Sequence, residues 1–272
     1  MRNPNEIFTY PLDNDSDNAQ EAVNYYNCRF TGKICDKQSR MINYPMGVCS
    51  VNHSGKKPII CPNRFLEDNI VFTNICISAF GSTDNVLLFK EVRLKDVGTF
   101  DFVLVKHKPI SSEVEDFCIV EFQSDSTTGT GKLVNALKDF MNGDDLKNKN
   151  YSFGMNTYNT IKLSYIQMLI KGQVMESWDK KIFWVMQDFV FDNMVDRFNL
   201  ADLDYTEEDN TKYHIYDLEL KDNLYNLKLI RKKSTTISNL IKAFTHQPTP
   251  SIDSFINKLE EKIELKLGLS FK

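Results

Sequence analysis

At 272 residues, with 42% hydrophobic and 26% charged side chains, the chain is long enough to bury a sizeable core and too apolar to stay disordered. Its formal net charge of −4 argues against a protein that coats nucleic acid without selectivity, because such binding needs a basic surface. No apolar run approaches the ~20 residues of a membrane helix, and the polar opening MRNPNEIFTYPLDNDSDNAQ lacks a signal-peptide core, so a cytoplasmic protein with reduced cysteines is expected.

Residues 1–20, rich in Asn and Asp, read as an irregular arm. Cys28, Cys35, Cys49 and Cys61 follow, with Gly32, Gly47, Gly55, Pro45, Pro58 and Pro62 among them. A segment so rich in turns builds little core of its own. A tetrahedral site of four thiolates would supply the missing order, since metal binding there is folding free energy. His53 is the substitute ligand if one cysteine is not used, and the alternative is four scattered core cysteines. This divides the chain into 1–62, an arm with a metal-clipped subdomain, and 63–272, the main domain.

Pro62 to Gly81 reads as one helix, with Pro62 in its first turn, Phe65, Phe72, Ile75 and Cys76 on its apolar face, and Gly81 as its stop. Cys76 and Cys118 are expected in the core. Asn85 to Leu94 is a strand, and Gly98 to Gln123 is written as a β-hairpin: Thr99–Val105 and Phe117–Phe122 around a polar tip, Lys106–Asp116. Each hairpin strand carries one acid among apolar neighbours, Asp101 near the start of the first and Glu121 near the end of the second. Antiparallel pairing brings those positions together, and period-two alternation puts Gln123 on the Glu121 face. Two carboxylates held side by side repel unless a cation sits between them, and oxygen donors open to substrate suit Mg²⁺. Glu91, ten residues before Asp101 by number, is a candidate third carboxylate or a surface partner of Arg93 or Lys95.

Further on, the periodicity predicts a helix over 130–141, another over 156–175 and a buried strand over 182–191. A hairpin over 214–230 turns at Asp222–Asn223. A helix over 235–244 and a last amphipathic packing helix over 250–267 complete the chain. Lys228, Arg231, Lys232, Lys233 and Lys242 form a run without an acid, whereas Asp202, Asp204, Glu207, Glu208 and Asp209 form one without a base.

The run CRFTGKICDKQSR…PMGVCSVNHSGKKPIICPNRFLED, followed by Asp101…Glu121-Phe122-Gln123, resembles the NotI-type type II restriction endonucleases over roughly residues 25–125. In that family a four-cysteine cluster holding a structural metal precedes a PD-(D/E)xK nuclease core. The resemblance implies that Cys28, Cys35, Cys49 and Cys61 bind zinc or iron, and that Asp101 and Glu121 bind Mg²⁺. Gln123 stands where the motif has lysine; its amide would position the attacking water without supplying charge. The fold expected is α+β (mixed α/β), a central mixed sheet of about five strands flanked by helices. The expected activity is Mg²⁺-dependent, sequence-specific cleavage of double-stranded DNA by a homodimer, alongside a cognate DNA methyltransferase. Lys228, Arg231, Lys232 and Lys233 are the candidate phosphate contacts. A structure-selective repair nuclease and a non-catalytic DNA-binding module are the alternatives.

Overall fold

The computed structural model describes residues 1–200, 203–247 and 249–270, so Asp202 of the acidic run lies outside the described residues. The N-terminus is not an irregular arm. Asn3–Ile7 (β1) is buried throughout and pairs antiparallel with Val48–Asn52 (β2). Its polar side chains are absorbed by partners far away in sequence: Asn3 Nδ2 donates to Leu146 O at 2.9 Å, Asn5 Nδ2 to Ser50 Oγ at 2.9 Å, and Arg64 Nε to Glu6 Oε1 at 3.2 Å. Polar composition therefore misreads a segment that long-range hydrogen bonding buries. Asp17–Asn24 (α1) follows, with the Ser16 side chain accepting from Ala19 N at its N-cap.

The single helix expected over 62–81 is two. Pro62–Asn69 is a 3₁₀ segment, and Ile70–Phe80 (α2) is α-helical. Asp68 and Asn69 between them are left-handed, at φ 47° and 55°. The break lets Glu67 turn inward, where it accepts from Arg64 at 2.9 Å and from Arg29 at 3.0 Å. Gly81 ends α2 at φ 75°, the conformation for which glycine is the natural residue.

Val86–Leu94 (β3), Gly98–His107 (β4) and Val114–Gln123 (β5) form an antiparallel meander, so the expected hairpin is present with longer strands and a shorter tip. Thr130–Met141 (α3) and Thr157–Ser177 (α4) then lead to Lys181–Gln187 (β6), which lies parallel to β5. The strand expected over 182–191 stops at Gln187, and Asp188–Phe198 (α5) is helical. Continuous apolar runs do not separate strand from helix by period alone. Here Asp188 in the first turn favours the helix, and Phe189, Val190 and Met194 bury along one of its faces. Thr211–Lys221 (β7) is parallel to β6, and Leu224–Thr235 (β8) returns antiparallel around Asp222 and Asn223, both at positive φ. Ile237–Thr245 (α6) and Ile252–Ser270 (α7) complete the chain.

The main sheet has six strands rather than about five, in the order β8-β7-β6-β5-β4-β3. Ile119, Trp184, Tyr213 and Ile215 pack under α4 and α5 on one face, whereas Val120, Phe183, Val185 and Tyr216 pack under α2 on the other. The centre of this mixed α+β fold is therefore buried on both sides. Cys76 and Cys118 lie in the second of these cores, as expected. Ile7, Phe8 and Val48 share a third core with Leu133, Val134 and Phe153, so the N-terminal segment is completed by chain well beyond residue 62.

Candidate active site

Two rows of register bring the hairpin acids together. Phe102 pairs with Val120 and Val103 with Ile119, so the next row puts Asp101 opposite Glu121. Asp101 is half-buried, and its Oδ2 accepts from Phe122 N at 2.9 Å, which fixes the carboxylate across the strand boundary. Glu121 is 5% exposed. Burial, then the neighbouring Asp101 carboxylate, push its pKa up to about 7.

The cation against Glu121 does not come from position 123. Lys171 of α4 donates from Nζ to Glu121 Oε2 at 2.7 Å and to Thr99 O at 2.8 Å, and it is only 4% exposed. The residue was legible in principle. Lys171 sits in the buried stripe of α4 with Tyr165, Met168 and Met175, a position where lysine is seldom found without a partner. Its partner could not be known before the crossover from β5 to β6 laid α4 over the hairpin. Glu121 Oε1 is buried without a hydrogen-bond partner, as is Nε1 of Trp184, its parallel neighbour on β6. An orphaned carboxylate oxygen beside a second acid is what a divalent cation would satisfy, so the donor set fits Mg²⁺.

Gln123 is half-buried and pairs in register with Met186; its Nε2 reaches Ser124 O at 3.4 Å. It lines a pocket of mixed character with Asp125, Thr130, Leu133, Asn159 and Leu163, so the start of α3 faces that pocket too. Glu91 falls in the gap between the pairs Lys90–Phe102 and Val92–Phe100, opposite Asp101. It is exposed and has φ 52°, a conformation that interrupts the ladder and strains a residue with a Cβ.

The four N-terminal cysteines lie in one neighbourhood. Cys28, Cys49 and Cys61 are buried with Phe30 in one small cluster, and Cys35 packs against it. Burial, then the neighbouring Cys61 thiol, push the Cys49 thiol well above its usual value. Among the described residues, however, no group of three or more His, Cys, Asp or Glu side chains converges closely enough to hold a metal ion. His53, the substitute ligand, lies against the Phe153 ring at 6.5 Å.

The basic run is not a bare strip. Lys228 pairs with Glu219 at 2.9 Å, Lys233 with Asp204 at 3.6 Å, and Arg231 with Asp188 and Asp192, while Lys232 donates to Ser78 Oγ at 2.7 Å. Strand pairing and α5 bring up acids that lie outside the run in sequence. Among the described residues, no helix is long and apolar enough to cross a membrane.

A family model described as restriction endonuclease NotI matches residues 16–229. The chain belongs to the NotI restriction endonuclease family. No curated protein matches it. The match takes in the cysteine cluster, the whole meander, α4 and β6. It extends well beyond the stretch that carries the sequence resemblance. The protein is accordingly a type II restriction endonuclease, a site-specific deoxyribonuclease acting on double-stranded DNA, and its six-stranded mixed sheet suits a restriction-endonuclease-like core.

Proposed function

We propose that this restriction endonuclease hydrolyses phosphodiester bonds with Mg²⁺ held by Asp101 and Glu121 of a PD-(D/E)xK-type site. The observation that carries this reading is the opposed pair itself: Asp101 fixed by Phe122 N, and Glu121 buried with one oxygen on Lys171 and the other unpartnered. When bound, the cation would offset the charge that develops on the phosphate and favour ionisation of the attacking water. Glu121 must give up its proton to ligate, Lys171 steadies the charged form, and Gln123 is the candidate to orient water. Glu91 is the third acid of the row, and its strained backbone at the sheet edge fits a role on the substrate side. Palindromic DNA is met by two-fold symmetric proteins, so the reading includes a homodimer; a cytoplasmic location and a cognate DNA methyltransferase belong to the same restriction-enzyme reading. Lys228, Arg231, Lys232 and Lys233 remain candidate phosphate contacts, because each keeps its cationic end at least partly exposed and ion pairs so placed are weak enough to exchange for DNA.

Incubating the purified protein with long plasmid and Mg²⁺, with and without chelator, tests the reading. Discrete bands that vanish with chelator are expected. Nicks that follow DNA structure rather than sequence, or cutting indifferent to chelator, would overturn it.

The pH dependence follows from Glu121. A carboxyl whose folded pKa is raised to about 7 stabilises the metal-free fold fully below its unfolded value near 4.3, and this contribution is lost as pH rises through about 7. Metal binding needs the ionised form, so binding releases a proton below that pH. At subsaturating Mg²⁺ the cleavage rate should therefore rise about tenfold per pH unit up to pH ~7 and level off above it. More Mg²⁺ should move the inflection to lower pH. A flat profile through this window would remove Glu121 as a ligand.

For the cysteines, we infer one structural zinc or iron ion per chain, held by Cys28, Cys35, Cys49 and Cys61. Support comes from three soft donors, Cys28, Cys49 and Cys61, in one buried cluster with half-buried Cys35 against it; the four would have to draw closer than they stand here to share an ion. Elemental analysis of protein purified without chelator should find about one transition metal per chain, the stoichiometry of a closed four-ligand site. Cys35→Ser should lose the metal and become insoluble or readily unfolded. Folded wild-type protein free of transition metal would refute the site.

A further inference from the structure

Asp125 is a third acid near the end of β5, only 2% exposed, and it stands outside the Asp101–Glu121 pair. It follows Gln123 in the turn that leaves the strand, and its bonds reach the first turn of α4. Oδ2 accepts from Thr157 Oγ1 at 2.5 Å, and Oδ1 accepts from Thr160 Oγ1 at 3.2 Å and from Ser126 N at 2.7 Å. Ser126 adds two links to the same helix end. Its Oγ lies 3.2 Å from Thr160 Oγ1, and its carbonyl accepts from Asn156 N at 2.8 Å. The backbone beneath the carboxylate is fixed as well. Asp125 N donates to Ile59 O at 2.9 Å, and Ile59 N donates at 2.8 Å to Oε1 of Gln187, buried at the end of β6. Burial pushes the Asp125 carboxyl up on balance, against the bonds from Thr157, Ser126 and Thr160 and the nearby His53.

An ordinary N-cap side chain accepts from a backbone N–H of the first turn. Asn156, the N-cap of α4, makes no such bond, and Asp125 takes two threonine hydroxyls instead. Residues three apart are neighbours on one helix face, so gripping Thr157 and Thr160 together fixes the rotation of α4 about its axis as well as its height. The same helix is tied to β5 a second time, where Lys171 donates to Glu121 Oε2 at 2.7 Å. Glu121 and Asp125 are ~13 Å apart along extended chain, and Thr160 and Lys171 are ~16 Å apart along the helix. The spans are close enough for one straight helix, running back along β5, to make both ties.

We propose that Asp125 is a positioning residue of the nuclease: by holding the first turn of α4 to the end of β5, it sets where Lys171 meets Glu121. The proposal rests on the Lys171–Glu121 reading of the site and extends it to a residue outside the motif. A helix tied at Lys171 alone would pivot about that contact, and the second tie removes this freedom. Such preorganisation decides rate, since a displacement of ~1 Å at a catalytic group can cost about 10²-fold.

Single-turnover cleavage by the full chain with Mg²⁺, beside DNA affinity measured without metal, tests it. Asp125→Ala should slow cleavage by about 10²-fold and leave DNA affinity unchanged. Asp125→Asn should recover most of the rate, because a threonine hydroxyl can accept from the new amide as well as donate to it. The deciding variant combines Asp125→Ala with Lys171→Met. A residue that acts through Lys171 adds nothing once Lys171 is gone, so the double variant should cut no slower than Lys171→Met alone. Far-UV circular dichroism and a cooperative melting transition would show that each variant is folded. If Asp125→Ala does not fold, Thr157→Val with Thr160→Val loosens the same tie and takes its place in the cycle. Losses that multiply in the double variant would overturn the proposal, and so would an Asp125→Ala defect confined to DNA affinity or melting temperature; either leaves the Lys171–Glu121 pair standing. Cutting at the wild-type rate by Lys171→Met would overturn both, since Asp125 would then have nothing to position.

Discussion

Asp101→Asn and Glu121→Gln should each lower single-turnover DNA cleavage by about 10³-fold or more, the scale of removing a group that stabilises developing charge. Both should leave a folded protein that still binds DNA. Both replacements preserve shape. In Asp101→Asn the new amide oxygen can still accept from Phe122 N, so the link between β4 and β5 survives. In Glu121→Gln the new side chain is neutral, and its site raises the native carboxyl to about 7, which means that the surroundings oppose the charge on balance. Metal-free Glu121→Gln should therefore lose the decline in stability that the wild type shows between pH ~4.5 and ~7, since nothing at that position titrates. A severe loss of activity combined with a retained cooperative melting transition and retained DNA binding separates a chemical role from a structural one. Cleavage near the wild-type rate by either variant would remove that residue from the site.

How much of this site the sequence reveals depends on the range of the interaction. The Asp101–Glu121 pairing follows from period-two alternation and hairpin geometry, both local, and the structure has that arrangement. The Asp222–Asn223 turn and the Gly81 helix stop are local as well. Features set by contacts across the chain read wrongly. Asn3, Asn5 and Glu6 look solvated and are buried by Leu146, Ser50 and Arg64. The break at Asp68 and Asn69 is dictated by where Glu67 must point. The basic run around Arg231 looks bare until α5 brings Asp188 and Asp192 to it. Lys171 combines both situations: its place on a buried helical stripe is a local signal, and its partner on another element is not.

Lys171→Met should be the more informative loss, because it asks which residue does the work left open by Gln123. Lys171 makes two hydrogen bonds, to Glu121 and to Thr99 O, and its ammonium lies 5.5 Å from the Phe100 ring. Among the described residues the Gln123 side chain makes a long contact to Ser124 O, and it lines a pocket in which Asp101 and Glu121 have no part. Without the ammonium, Glu121 loses its two largest pKa-lowering influences, so its pKa should climb further above the ordinary carboxylate value. Breaking a buried pair costs ~3–5 kcal/mol when the remaining charge stays ionised. At pH 8 the melting temperature of Lys171→Met should therefore drop sharply. At pH 6 the drop should be smaller, since Glu121 can take up a proton. Cleavage at neutral pH should fall by about 10²-fold or more, the scale of a lost proton-handling or charge-positioning group, and recover partly as pH is raised. Lys171→Arg should retain more activity than Lys171→Met if charge is what matters. Gln123→Ala should cost less than Lys171→Met. If Gln123→Ala costs more, and the pH profile of Lys171→Met is unshifted, Lys171 only holds α4 to the hairpin, and the water is oriented from position 123.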